Sequence, residues 1–135
     1  TKIVNLQTNF LKPNFYSGKQ GLIKEKFNIE VFNFPLHWYF APSQAELENI
    51  YEFLKANQNE KIFIHCKYGV DRTGMVVAYW KVREHLAPIE EAIKEMLSFG
   101  FHKKWFFWWI PRLEKYLNKS NQKATEVSSP SDTQA

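Results

Sequence analysis

One cysteine, five glycines and no aspartate before position 71 are the scarcities that bound this 135-residue chain. A lone Cys66 excludes an intrachain disulfide framework and a Cys-rich zinc site. No apolar run approaches the ~20 residues that a membrane span needs. Thr1 to Leu6 reads as a strand rather than a signal peptide, and no internal repeat is visible. What is present is ample apolar material, 44% hydrophobic and 17% aromatic, enough for the core of one compact domain. The net charge of +4 and pI near 9.1 favour anionic partners in general. That balance alone does not separate phosphoprotein from phospholipid or nucleic acid.

Strand and helix patterns alternate along the chain. Lys2-Ile3-Val4-Asn5-Leu6 reads as a short buried strand, and residues 8–26, with Pro13, Gly18 and Gly21, read as loop. Residues 28–34 alternate apolar and polar in strand period, and Pro35 ends them before an aromatic-rich loop from Leu36 to Pro42. Ser43 with Glu46 three residues on fits a capping box. It opens a helix whose apolar face is Leu47, Ile50, Tyr51 and Leu54. Lys61 to His65 is the next strand, and a helix begins around Arg72–Thr73. Pro88 suits the start of another helix, with Ile89, Ala92, Ile93, Met96 and Leu97 inward. A last helix is expected over about 103–118, with Phe106, Ile110, Leu113 and Leu117 in a stripe and a kink at Pro111. The expected fold is α/β, a central mostly parallel sheet flanked by helices. The domain is expected to occupy 1–118, with 119–135 a disordered polar tail.

The segment His65-Cys66-Lys67-Tyr68-Gly69-Val70-Asp71-Arg72-Thr73-Gly74 lies between a strand and a helix. Backbone N–H groups at such a junction lack intrahelical partners and converge on an anion site. Gly69 permits a tight turn or close approach to phosphate. Arg72 can grip two phosphate oxygens with its planar fork, as Lys could not. Cys66 at the floor of this cradle is favoured as thiolate, a nucleophile for in-line attack on phosphorus. Thr73 can donate its hydroxyl to the sulfur, and His65 is expected to orient the loop. Lys67, Tyr68, Gly69, Val70 and Gly74 complete the expected substrate cradle, and the chemistry needs neither metal nor cofactor.

His-Cys-x5-Arg-Thr-Gly resembles the signature of the protein tyrosine and dual-specificity phosphatase superfamily. Lys2–Leu6, Phe34-Pro35-Leu36, residues 90–96 and Gly100-Phe101-His102 extend the likeness to a bacterial branch of small dual-specificity-like phosphatases. The resemblance implies hydrolysis of phosphotyrosine or phosphoserine/threonine in proteins through a phosphocysteine. Lys67 and Asp71 lean instead towards phosphoinositides or inositol phosphates. A catalytically weak phosphate-binding module is the reading from another class. Rhodanese-like sulfur transfer fits Arg-Thr-Gly poorly.

The resemblance also implies a general acid, an Asp on a loop upstream of the Cys, and here the chain departs from it. The matching stretch, Pro35 to Pro42, contains no Asp. Asp71, just before the signature Arg, is one replacement. Myotubularin-type and Sac-type phosphoinositide phosphatases are similar there. His37, on the expected loop, is a second candidate, as acid or substrate contact. Glu46 is a distant third because capping already explains it. His102 is expected to make a structural hydrogen bond, and His85 to lie on helix surface.

Trp105-Phe106-Phe107-Trp108-Trp109, beside Lys103 and Lys104, puts aromatics all around the expected last helix. It is either wedged between two layers or a peripheral contact with a membrane or protein. The expected partners are phosphorylated protein, phospholipid or inositol phosphate, with no nucleic acid. A monomer in a reducing, cytoplasmic setting is expected.

Overall fold

The computed structural model describes residues 1–8, 22–67 and 69–119. Three strands, β1 (Lys2–Asn5), β2 (Glu30–Asn33) and β3 (Ile62–His65), form one sheet in the order β2-β1-β3. Both pairings are parallel, so β1 is central and Val4 is fully buried. The register is flush: Asn5 stands opposite both Asn33 and His65. The ladder continues one step beyond the strands, with Leu6 N–H donating to the His65 carbonyl and Phe34 N–H to that of Asn5. Asn5, nearly buried, closes this edge by donating Nδ2–H to Asn33 Oδ1 at 3.1 Å.

Helix α1 (22–27) falls mostly in the span 8–26 expected to be loop. Residues 22–27 contain no Gly or Pro, and Asn28 ends the helix in the left-handed region (φ 53°) with its N–H on the Lys24 carbonyl. The loop reading of residues 9–21 lies outside the described residues. Helix α2 (Gln44–Ala56) has the expected reciprocal capping box between Ser43 and Glu46, and it buries Leu47, Ile50 and Leu54.

Helix α3 (Asp71–Arg83) buries Met75, Val76, Ala78, Tyr79 and Val82. It ends where His85 turns left-handed (φ 58°), so His85 is a reversal point rather than helix surface. Tyr79 and Arg83 of α3 share the Glu48 carboxylate of α2. Arg83 also stacks over Tyr51, 4.2 Å from the ring centroid. Nearby, burial and then the Glu84 carboxylate push the Tyr51 phenol up to about 12. Helix α4 (Ile89–Ser98) follows Pro88 and lies against α3. There Lys81 reaches Glu95 at 2.6 Å.

The last helix, α5 (109–119), starts later than the periodicity suggests. Residues 103–108 form turns instead, with Trp105 and Phe106 N–H both on the His102 carbonyl. Pro111 falls in the first turn of α5, where its missing N–H costs no hydrogen bond and no kink is required. Trp109, Leu113 and Leu117 are fully buried. The proposed tail from residue 120 lies outside the described residues, while residue 119 is helical.

Ser43→Ala removes one half of the capping box and should lower stability by about 1 kcal/mol. Chemical denaturation would show the change as a lower midpoint with an unchanged slope.

Candidate active site

The flush carboxyl ends of the three strands create a platform, with Cys66 directly beyond β3 and Asp71 at the start of α3. Parallel sheets present ligands at this edge as a rule. Cys66 is the first residue beyond β3 and is buried to 6% exposure. Gly69 takes φ +69°, and a Cβ there would meet nothing within 4 Å. The backbone conformation, not crowding, requires glycine at that position. Gly74 has the opposite reason, since a Cβ would come within 3.0 Å of Met96 Cγ on α4.

Donors converge on the sulfur. Thr73 Oγ1 donates to Cys66 Sγ at 3.1 Å. Burial pushes the Cys66 thiol up, but the Thr73 hydroxyl, the Thr73 and Gly69 amides and the Arg72 charge together outweigh it. The thiol therefore lies below its ordinary value.

Arg72 is 8% exposed, and its Nη1 donates to the carbonyls of Leu36 (3.2 Å) and, more distantly, Leu6 (3.5 Å). Those carbonyls belong to the segments leaving β2 and β1, joined by Leu36 N–H on Leu6 O at 3.0 Å. Arg72 thus ties the segments beyond β1 and β2 together. Side-chain patterns carry no signal for backbone acceptors, so this contact was not foreseeable.

His65 Nδ1 lies 3.3 Å from the Cys66 carbonyl, and its ring stacks on Phe63. Both contacts suit the expected orienting role. Lys67 is exposed beside Cys66, and Tyr68 lies outside the described residues. Val70 is the N-cap residue of α3, and its carbonyl accepts from Gly74 N–H at 2.9 Å. A cleft lined by Gly69, Thr73, Gly74, Met96 and Phe99 opens beside the loop.

The acid candidates separate sharply. Asp71 is the first residue of α3, and its Oδ1 accepts from the His102 backbone N–H at 2.9 Å. His102 Nδ1 lies 3.0 and 2.9 Å from the two carboxyl oxygens. His37 Nδ1 instead accepts from the N–H groups of Tyr39 and Phe40 at 3.0 and 3.1 Å. With Nδ1 accepting, the ring proton of the neutral imidazole sits on Nε2. Glu46 is engaged in the cap. His102 makes the structural hydrogen bond expected of it, and its partner is Asp71. The signal available was its place directly after Gly100-Phe101 in the recognised motif.

Among the described residues, no three His, Cys, Asp or Glu side chains gather as a metal site would. No helix among them is long and apolar enough to cross a membrane. Trp109 is buried and donates Nε1–H to the Tyr39 carbonyl at 3.0 Å, pinning the 37–40 loop. Trp105 and Phe107 are 74% and 66% exposed.

A thiol lowered by a strand–loop–helix cradle, with a buried Arg six residues on, defines the cysteine-dependent phosphatase fold of the tyrosine and dual-specificity class. The fold is shared with the crystal structure of Tk-PTP at TM-score 0.71 and 21% identity, covering 90% of this chain and 79% of that one. It is shared too with the catalytic core of the PP-IP phosphatase SIW14 from S. cerevisiae at TM-score 0.70 and 17% identity, covering 95% and 74%. Residues 1–104 match the family described as DSP-PTPase phosphatase fused to NAD+ kinase, and the chain belongs to that family. A probable NAD kinase 2, chloroplastic, from Oryza sativa subsp. japonica is 28% identical over 79 residues. That match takes in 58% of this chain but only 8% of the rice protein's length.

Thr73→Val removes one sulfur donor while keeping the side-chain shape. The rate of Cys66 alkylation by iodoacetamide should then rise at a higher pH than in the wild type. An unshifted profile would leave the amides and Arg72 as sufficient to hold the thiolate.

Proposed function

We propose that this chain hydrolyses phosphomonoesters, without a metal, through a phosphocysteine on Cys66, acting on phosphotyrosine or phosphoserine/threonine in proteins. The observation that carries the reading is the set of donors gathered on the Cys66 sulfur, which lowers the thiol despite burial. The thiolate attacks phosphorus in line as the bond to the leaving oxygen breaks. The loop amides and Arg72 take up charge on the equatorial oxygens. Thr73 then supports the departing thiolate when water cleaves the intermediate. Val70, Gly69 and Gly74 shape the cradle, and His65 steadies its floor.

Asp71 serves as the general acid in this scheme. It stands in the loop next to Arg72, where no upstream Asp is available, and it is held at the start of α3 by His102. During the first half-reaction its proton passes to the leaving oxygen. In the second it takes a proton back from the attacking water.

Phosphoinositides or inositol phosphates are the second substrate reading. Lys67 and Asp71 beside the nucleophile support it, and SIW14, which has this fold, is described as a PP-IP phosphatase. The exposed Trp105 and Phe107 support a peripheral contact with a membrane or protein as part of either reading.

The test is turnover of a phosphotyrosine peptide, a phosphoserine peptide, a phosphoinositide panel and NADP+, whose phosphomonoester is made by NAD+ kinase chemistry. Cys66→Ser should abolish hydrolysis of whichever is preferred. Tight ligand binding without turnover under reducing conditions would mean a phosphate-binding module instead. Asp71→Asn should slow an alkyl phosphate by ~100-fold or more while sparing an activated aryl phosphate. Equal losses on the two would remove Asp71 from the acid role.

A further inference from the structure

We propose that His102 is the positioning residue for Asp71, holding its carboxyl at the phosphate loop and donating Nδ1–H to it once its proton is spent. The inference deepens the phosphatase reading above and rests on it.

The geometry exceeds what a loop anchor needs. The His102 backbone N–H on Asp71 Oδ1 at 2.9 Å would by itself tie the segment after α4 to the start of α3. The imidazole adds a second hold, with Nδ1 within 3.0 Å of both carboxyl oxygens. Two donors from one residue fix the direction of the carboxyl plane as well as its position. The Asp71 side chain is 14% exposed and that of His102 48%, so the pair leads from a sheltered carboxyl to a half-open imidazole.

The scaffold behind His102 is firm. Gly100 takes φ +102°, which lets the chain reverse directly after α4. Phe101 is buried, with its ring 6.0 Å from that of Trp109 and 6.3 Å from that of Phe106. The His102 carbonyl in turn accepts the N–H groups of Trp105 and Phe106. The main chain at 102 is therefore gripped on both sides, and the imidazole is presented from a fixed base.

The chemistry balances with no further reactant. As the S–P bond forms and the P–O bond breaks, the proton on Asp71 moves to the leaving oxygen and a carboxylate remains. His102 donates Nδ1–H to that carboxylate until the second step. Water then attacks phosphorus, the S–P electrons return to Cys66, and the water's proton restores the Asp71 carboxyl. His102 keeps its own proton throughout.

The test compares wild type, His102→Ala, His102→Asn, Asp71→Asn and the double variant Asp71→Asn/His102→Ala. Each is assayed on an alkyl phosphate and on an activated aryl phosphate. His102→Ala should lower kcat on the alkyl phosphate ~10-fold or more, with KM little changed and the aryl phosphate nearly unaffected. His102→Asn, which keeps a side-chain N–H donor, should recover most of the loss. The double variant should be no slower than Asp71→Asn alone, because the two residues act as one unit. Equal losses on both substrates, no loss at all, or a multiplicative double variant would overturn the proposal and leave His102 a structural anchor. If Asp71→Asn itself shows no dependence on the leaving group, the acid assignment falls and this inference falls with it. A Cys66→Ser variant that still turned over would instead overturn the phosphatase reading.

Discussion

A guanidinium buried to 8% exposure has to be answered by dipoles or negative charge, and the site is arranged around that requirement. Arg72 meets it partly with the Leu36 and Leu6 carbonyls, which lie where the chain leaves β2 and β1. The Arg72 charge in turn helps lower the Cys66 thiol beyond the end of β3. One cation therefore holds the chain beyond β1 and β2 and acts through its charge on Cys66. The polar rung of Asn5 and Asn33 lies just beneath and keeps that edge of the sheet flush.

Most of the framework was legible because local physics and tertiary packing agreed. The Ser43–Glu46 box, the strand period before Pro35 and the inward residues of α4 each specify an element that the structure contains. Residues 103–108 carry enough aromatic side chains to mimic a helix face, but the chain there is committed elsewhere. Phe101 is buried, His102 is held on Asp71, and the backbone between them and α5 turns rather than coils. At α1 the error ran the other way, since Pro13, Gly18 and Gly21 masked a clean run of helix formers ended by Asn28.

The site divides in the same manner. Cys66, Gly69, Arg72 and Thr73 stand out in the sequence by their spacing between a strand and a helix, and the structure gathers them at that junction. The Leu6 and Leu36 acceptors do not stand out, since any residue carries a carbonyl. The structural hydrogen bond expected of His102 is present, but the sequence did not name its partner. That partner, Asp71, stands 31 positions away, and no helical or strand period connects the two. The absence of an upstream Asp and the presence of an Asp–His pair are, on the proposed reading, two sides of one relocation. The proton donor moves from a separate loop into the phosphate loop, and its support comes from the turn after α4.

The flush register of the sheet has a further consequence for how such a domain can diversify. With Asn5, Asn33 and His65 level, the chain leaves each strand from one plane. Lengthening or replacing the segment beyond any one strand would then change the rim around Cys66 while the hydrogen-bonded ladder beneath stayed in place. Substrate preference could drift by loop exchange without the sheet having to re-register, which would let one scaffold serve relatives with different phosphorylated targets.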